Sequence, residues 1–121
     1  MATYEQRRSL GEYGERLAAS HLRAAGMVIL DRNYRCKHGE IDIVARDGDT
    51  LVVCEVKTRR NLMYGAPIES VTPQKAARLR RLAAHWLADF AMSPPSIRID
   101  VIGVVVPVRG APRVECVAGV A

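Results

Sequence analysis

The segment Thr50–Thr58, with the sequence TLVVCEVKT, is the strongest strand signal in the chain. It is rich in β-branched residues, and as a strand it would have apolar residues on both faces. A strand of this kind is normally buried. Side chains alternate along a strand, so Glu55 and Lys57 share a face with Leu51 and Val53. Burying these two charges costs several kcal/mol each unless they pair, meet a metal ion or emerge at a strand end.

Turn signals and hydrophobic periodicity place the other elements around this strand. The Asp47-Gly48 turn joins it to the preceding strand as a hairpin. Thr72 and Pro73 supply the N-cap and first residue of a second helix, which Pro94-Pro95 stops. The predicted elements are a helix Tyr4–Ala25 ended by Gly26, strands Met27–Tyr34, Glu40–Arg46 and Thr50–Thr58, a helix from Thr72-Pro73, a strand Ile97–Val106 and a short strand Val114–Val117.

This order, α-β-β-β-α-β-β, predicts an α/β fold in a single domain over residues 1–121. The connections between the first three strands are short enough for antiparallel pairing, whereas the strand-helix-strand succession implies a parallel crossover. We therefore expect a mixed β-sheet flanked by helices. The loop Arg59–Val71 precedes the second helix, which is expected to bury one stripe: Ala76, Leu79, Ala83, Trp86, Leu87 and Phe90.

The net charge and the aromatic content reduce the number of functional classes to consider. The chain has 18 Lys and Arg against 13 Asp and Glu, a formal net charge of +5, which suits a nucleic-acid partner, an anionic membrane surface or solubility alone. Aromatic residues make up 5% of the chain, too few for a platform that stacks single-stranded bases. Recognition of the backbone of a nucleic-acid duplex is therefore still compatible with the composition.

The cysteines and the apolar segments of the chain indicate in which cellular compartment the protein is expected. Three cysteines without a CxxC pair fit a reducing environment better than a disulfide framework, so we expect a cytoplasmic protein. Met1–Leu10 is polar and charged, and the longest apolar run, Val101–Val108, is interrupted by Gly103 and Pro107. Neither a signal peptide nor a membrane span is expected.

Two acidic residues lie in the strands of the predicted hairpin. Asp42 stands between two isoleucines, and Glu55 follows twelve residues later, with Lys57 two positions beyond it. Two converging carboxylates and a backbone carbonyl form the hard oxygen set that Mg²⁺ or Mn²⁺ prefers. A metal ion held there polarises a phosphodiester and lowers the pKa of bound water, while the lysine positions the water or stabilises developing charge. The pattern predicts phosphodiester hydrolysis.

A third acid is available on the first helix. At about 100° per residue, Glu15 lies at the edge of the apolar stripe beside Leu22, whereas Glu12 points further towards solvent. Glu15 is therefore the better candidate for a third ligand.

The same residues belong to a longer set of matching segments: Gly11–Glu15, Arg32–Tyr34, Gly39–Val44, Val53–Arg59, Gly65–Pro67, Lys75 and Arg98–Val101. In this combination the chain resembles the PD-(D/E)XK nucleases, and more closely the YraN-like bacterial proteins, which are similar to archaeal Holliday-junction resolvases. The resemblance implies a restriction-endonuclease-like core. It implies metal-ligand roles for Asp42 and Glu55, a catalytic role for Lys57 and a supporting acidic role for Glu15. The resolvase-like relatives also imply a homodimer, because a four-way junction needs two symmetric cuts.

Other interpretations of the acidic residues stay open. Asp42, Glu55 and Lys57 could form an internal salt-bridge cluster at a sheet edge. Glu40 shares a strand face with Asp42 and is an alternative ligand, although a charged residue at a strand start is more often solvated.

Basic and polar residues near the predicted site are candidates for contacts with backbone phosphates. The candidates are Arg59, Arg60, Gln74, Lys75 and Arg78. The two arginines follow the predicted catalytic strand, and loops after strands commonly border sites. Lys75 and Arg78 start a basic helix face that continues with Arg81 and His85, and a solvated face is the alternative.

Three further residues are interpreted as structural. Asp100 lies in an apolar strand and is expected to pair with a basic group such as Arg98, while Trp86 and Phe90 are expected in the core. Cys36 and His38 lack a second pair of ligands nearby, so zinc is not expected.

The sequence thus leaves two main classes of function, with an interaction protein whose charge cluster is structural as a third option. The first is a Mg²⁺- or Mn²⁺-dependent endonuclease acting on DNA, with branched or otherwise structured DNA among its substrates. The second is a nucleic-acid-binding module that keeps the nuclease fold without cutting. The presence of Asp42, Glu55 and Lys57 favours the first, because a non-catalytic descendant need not keep all three.

Overall fold

The computed structural model describes residues 3–61 and 72–120. In chain order the elements are α1 (Tyr4–Ala24), β1 (Val28–Cys36), β2 (Gly39–Asp47), β3 (Thr50–Arg59), α2 (Pro73–Asp89), β4 (Ser96–Val105) and β5 (Arg113–Val117). The predicted order and the mixed α/β class are confirmed. Most of the predicted loop before α2, including Gly65–Pro67, lies outside the described residues.

The sheet follows the chain order, β1-β2-β3-β4-β5. Only β3 and β4 pair in parallel, and the other three pairs are antiparallel, as the connection lengths predict. The predicted strands Met27–Tyr34 and Glu40–Arg46 leave the segment 35–39 between them as a connection. Pairing instead continues to Cys36 opposite Gly39, because this polar hairpin lies at the open edge of the sheet and needs no apolar residues to form its ladder.

The two helices cover opposite faces of the sheet. The α1 face contains Ala18 and Leu22 packed with residues such as Val52 and Ile102, and the α2 face contains Leu79, Leu82, Ala83 and Trp86 packed with residues such as Leu51 and Ile99. Because β3 contributes to both cores, the prediction of a strand buried on both faces is confirmed. None of the helices within the described ranges is long and apolar enough to cross a membrane.

The C-terminal end of α2 differs from the prediction. The helix ends at Asp89, so Phe90 leaves the helical spacing, serves as the C-cap and is 51% exposed. The expectation that Phe90 is a core residue is therefore wrong, although its ring still stacks on Trp86 at 4.6 Å. The N-terminal end is as predicted, because the Thr72 hydroxyl accepts a hydrogen bond from the Lys75 amide at 3.2 Å.

A single glycine sets the distance between α1 and β3. A Cβ atom added at Gly14 would lie 1.9 Å from Thr58 Oγ1 and 2.7 Å from Cγ2, whereas one added at Gly11 would meet nothing within 4 Å. Thr58 is short and branched, so it cannot move aside by a change of rotamer alone. Gly14 therefore lets the helix carrying Glu15 approach the end of the strand carrying Lys57.

We expect Gly14→Ala to lower the free energy of unfolding by about 1–3 kcal/mol, because the added methyl forces α1 away from β3. Gly11→Ala is the matched control. It replaces glycine in the same helix where space is open, so it is expected to raise stability by up to about 1 kcal/mol. Urea unfolding followed by circular dichroism measures both, and equal stabilities would contradict the close approach.

Candidate active site

The regular pairing of β2 breaks on both sides at Asp42. Its ladder with β3 runs from Asp47 opposite Thr50 to Ile43 opposite Cys54, and beyond this point the Val56 amide donates to Asp42 Oδ2 at 2.8 Å. On the other side, β1 and β2 pair before and after Asp42 but not at it, because the opposing residue, Asn33, has a φ of +56°. The side chain of Asp42 thus takes the place of a strand partner and is held in a fixed orientation.

A cleft of about 380 Å³ opens at this break. Its walls come from α1, β2 and the end of β3, and it is lined by Arg7, Leu10, Gly11, Glu15, Asp42, Val56, Lys57, Thr58 and Arg59. Three of the four predicted catalytic residues, Glu15, Asp42 and Lys57, therefore line one cavity. The fourth, Glu55, is joined to it through Lys57, whose Nζ lies 3.0 Å from Glu55 Oε1.

Negative charge accumulates around Asp42. Burial raises the pKa of Asp42 to about 7, the hydrogen bond from Val56 opposes the rise, and the neighbouring charges of Glu55, Glu15 and Glu40 add to it. The pKa of Glu15 is also raised, first by burial, with Arg32 opposing and Glu40 adding. Carboxylates gathered in this way repel one another and favour the approach of a cation.

The donor set fits one kind of metal ion. The described residues hold no group of three or more His, Cys, Asp or Glu side chains arranged as metal ligands. Mg²⁺ does not need such a cage, since it is commonly held by one or two carboxylates and completes its shell with water and phosphate oxygens. Asp42 and Glu15 line the cleft, and Glu55 is near enough for its charge to raise the pKa of Asp42, so these carboxylates are the ones that could hold such an ion.

The raised pKa of Asp42 predicts how the stability of the metal-free protein depends on pH. The pKa is higher in the folded chain than in the unfolded chain, so protonation favours folding. Protonated Asp42 contributes its full stabilisation to the folded chain below about pH 4. This contribution is lost as the pH rises through about 7, which lowers the free energy of unfolding by up to about 4 kcal/mol. Asp42→Asn should remove this decline. Chemical denaturation from pH 5 to pH 8 in a chelator measures it.

The matched control for this prediction is Glu12→Gln. Glu12 lies on α1 one turn before Glu15, is exposed and pairs with Arg8 at 3.2 Å. The difference in unfolding free energy between this variant and the wild type should stay constant across the pH range. A wild type and an Asp42→Asn variant that decline in parallel would contradict the assignment.

Lysines from two elements meet beside Glu55. Glu55 and Lys57 side chains are 13% and 26% exposed, and their ion pair realises part of the alternative interpretation, a salt-bridge cluster. Lys75 of α2 joins them. Its pKa is lowered, first by the charge of Lys57 and then by burial. Two adjacent ammonium groups form a point where an anion such as a phosphate is favoured.

The other residues predicted to contact phosphates lie in different places. Arg59 lines the cleft, and its Nε is buried with no hydrogen-bond partner among the described residues. Arg60 lies outside the cleft and borders a neighbouring cavity of about 430 Å³ against α1. Gln74 is exposed in the first turn of α2, and Arg78 lines a separate pocket beside His38.

One residue of the site was not assigned a role from the sequence. The amide nitrogen of Asn33, turned towards the acids, donates to Glu15 Oε1 at 2.9 Å and to Glu40 Oε1 at 3.3 Å. Asn33 thereby connects the helix acid to β2. The available signal was its residue type, because asparagine adopts the left-handed backbone more readily than other non-glycine residues. Glu40, the alternative ligand, also pairs with Arg35 at 3.6 Å.

Comparison with known proteins places the chain in a family. Residues 14–104, which include the cleft residues from Glu15 to Arg59, match the profile described as "Uncharacterised protein family UPF0102". The chain belongs to the UPF0102 family. This confirms the expected membership of the YraN-like group.

Individual UPF0102 proteins match almost the whole chain. The UPF0102 protein of Kineococcus radiotolerans is 59% identical over 113 residues, which cover 93% of each chain. That of Streptomyces coelicolor is 57% identical over 122 residues, covering 99% of this chain and 94% of the relative. The similarity therefore extends over both helices and the whole sheet of the UPF0102 chain.

Proposed function

We propose that this UPF0102 protein is a metal-dependent endonuclease that hydrolyses DNA phosphodiester bonds. The observation that carries the proposal is the meeting of Asp42, Glu15 and Lys57 in one cleft, at the point where the sheet ladder breaks, with Glu55 paired to Lys57. These are the acids and the lysine to which the resemblance to the PD-(D/E)XK nucleases gives metal-ligand and catalytic roles. Branched DNA is the first structured substrate to test, because of the resemblance to Holliday-junction resolvases.

The residues of the site have separate roles in this proposal: some hold the metal ion, and others orient the water or offset charge on the phosphate. Asp42 and Glu55 would hold Mg²⁺ or Mn²⁺, with Glu15 as the supporting acid. A bound divalent cation supplies positive charge that polarises the phosphodiester and lowers the pKa of water. Lys57, anchored at 3.0 Å by Glu55, orients the attacking water and offsets the charge that develops on the phosphate.

Basic groups at the cleft hold the phosphate in position. Arg59 lines the cleft and carries a guanidinium charge to it, and Lys75 adds a second ammonium group beside Lys57. These contacts recognise the backbone and not the base edges, so they bind any sequence with the right backbone shape. The proposal includes a homodimer on four-way junctions and a cytoplasmic location, the latter supported by three free cysteines.

The test is a cleavage assay on a panel of labelled DNAs, linear, flapped and four-way, with Mg²⁺, Mn²⁺ or a chelator. Calorimetric titration of the metal into the protein runs in parallel. We expect metal-dependent cutting within the duplex arms or at the branch point. An absence of cutting with both metals on all substrates would overturn the proposal.

A second candidate function is a nucleic-acid-binding module that does not cut. The Glu55–Lys57 ion pair favours this second candidate, because each of the two side chains is already engaged by the other. The described part of the chain also contains no group of three or more side chains arranged as metal ligands. This candidate predicts DNA binding that is unaffected by chelators and no heat of metal binding.

A further inference from the structure

A second polar pocket lies on the α2 face of the sheet, away from the acidic cleft. It has a volume of about 250 Å³ and is lined by His38, Arg78, Arg81, Leu82 and His85. His38 comes from the tight turn between β1 and β2, and the others come from α2. None of these lining residues is acidic, so the pocket is an environment for a negatively charged ligand.

The pocket is already formed without a ligand. The rings of His38 and His85 stack with centroids 4.2 Å apart and an angle of 16° between their planes. A Cβ atom at the neighbouring Gly39 would lie 3.4 Å from Leu82 Cδ1, so the turn packs directly against α2. This packing holds the imidazoles beside the two guanidinium groups, and a site built this way loses little entropy when an anion binds.

The pocket also continues a line of positive charge from the cleft. The line begins at Lys57 and Lys75 and follows one side of α2 through Arg78 and Arg81 to His85. Lys75 and His85 are ten residues apart, about 15 Å along a helix. This distance is several times the axial rise of about 3.4 Å between neighbouring nucleotides, so a phosphate at Lys75 and one at His85 would be different phosphates of the backbone.

We infer that the pocket of His38, Arg78, Arg81 and His85 binds a backbone phosphate of the nucleic acid, one that lies further along the strand than the bond in the cleft. The inference rests on the proposed function for its ligand, since it takes the strand held in the cleft as the source of the phosphate. The guanidinium forks supply charge-assisted hydrogen bonds, and the imidazoles donate N–H groups from the turn and the helix. The pocket positions the strand and carries no part of the chemistry.

The test measures binding of a fluorescein-labelled DNA duplex by anisotropy in a chelator, where cleavage cannot occur. We expect Arg78→Ala/Arg81→Ala to weaken binding at least about tenfold and to lower the salt dependence by the equivalent of one or two phosphates. Arg23→Ala/Arg113→Ala is the matched control. It removes the same charge from exposed positions on α1 and β5, and its effect should be small.

A second measurement locates the ligand. The chain has three histidines, so the ring proton resonances of His38 and His85 can be assigned by substitution, with His21 in the last turn of α1 as the internal reference. Adding the duplex should shift the signals of His38 and His85 and leave that of His21 in place. Inorganic phosphate alone should shift them less at the same phosphate concentration.

The outcomes separate this inference from the proposed function. Unchanged binding by the double variant, or inorganic phosphate acting as strongly as the duplex, would overturn the pocket while cleavage by the wild type still supports the nuclease. Weakened binding without any cleavage would support the pocket and overturn the nuclease. A wild type that binds no DNA would overturn both.

Discussion

Asp42→Asn should abolish DNA cleavage, lowering the single-turnover rate by roughly 10³-fold or more, because charge stabilisation worth several kcal/mol is lost with the carboxylate that is proposed to bind the metal. The same substitution should make the protein more stable at neutral pH, since it removes a buried acid whose pKa is raised to about 7. Loss of activity together with a gain in stability cannot be attributed to misfolding. A rate measured under saturating metal and DNA, beside a chemical denaturation curve, gives both quantities.

Glu55→Gln should give a similar loss of rate, but without the gain in stability, because Lys57 then loses its partner at 3.0 Å. Glu12→Gln on α1 is the control for both variants and should cut at the wild-type rate. A rate for Asp42→Asn within about tenfold of the wild type would contradict the assignment of Asp42 as a metal ligand.

Two lysines stand beside Glu55, and their substitutions should separate their roles. Lys57→Met removes the group anchored next to the acids and should lower the cleavage rate at saturating DNA. Lys75→Met removes a charge on α2 and should mainly weaken binding, leaving the rate at saturation closer to that of the wild type. A split between KM and kcat in this direction is the result expected if Lys57 acts in the chemistry and Lys75 holds the phosphate.

Much of the fold was predictable because the signals that specify it are local. Periodicity identified a β3 strand that is buried on both faces, and the Asp47-Gly48 turn identified the hairpin, in which Gly48 has a φ of +60°. The placement of Glu55 and Lys57 on one face followed from simple alternation. The pairing of Asp100 with Arg98 was also predictable, since a charge in an apolar strand must find a partner.

The unpredicted features depend on contacts between distant segments. The bridge from Asn33 to Glu15 depends on the register of β1 against β2, which shifts between Ile29 and Asp31. Nothing in the local pattern around β1 encodes that shift. The close approach of Gly14 to Thr58 likewise exists only after α1 docks on the sheet.

Substitution of the other buried acid, Asp100, is expected to have a large effect on the free energy of unfolding. Its side chain is fully buried and accepts hydrogen bonds from Arg98 Nε at 2.9 Å, Arg98 Nη2 at 3.1 Å and the Gly119 amide at 3.1 Å. Asp100→Ala should lower the free energy of unfolding by about 3–5 kcal/mol, because it leaves a half-buried guanidinium and a backbone amide without their acceptor. Typical domains unfold at a cost of about 5–15 kcal/mol, so this variant should be marginally folded.

Asp47→Ala is the matched control for Asp100→Ala, because it removes a more exposed carboxylate, 3.3 Å from the same arginine, and should cost less than about 1 kcal/mol. Asp42 and Asp100 then respond in opposite directions at neutral pH. Asp100 has a cation within the fold, so its removal destabilises the protein, whereas Asp42 is surrounded by other acids, so its removal stabilises it. If denaturation curves showed both substitutions to be destabilising to the same extent, Asp42 would be a structural ion-pair residue like Asp100, and the proposed metal site would lose its electrostatic basis.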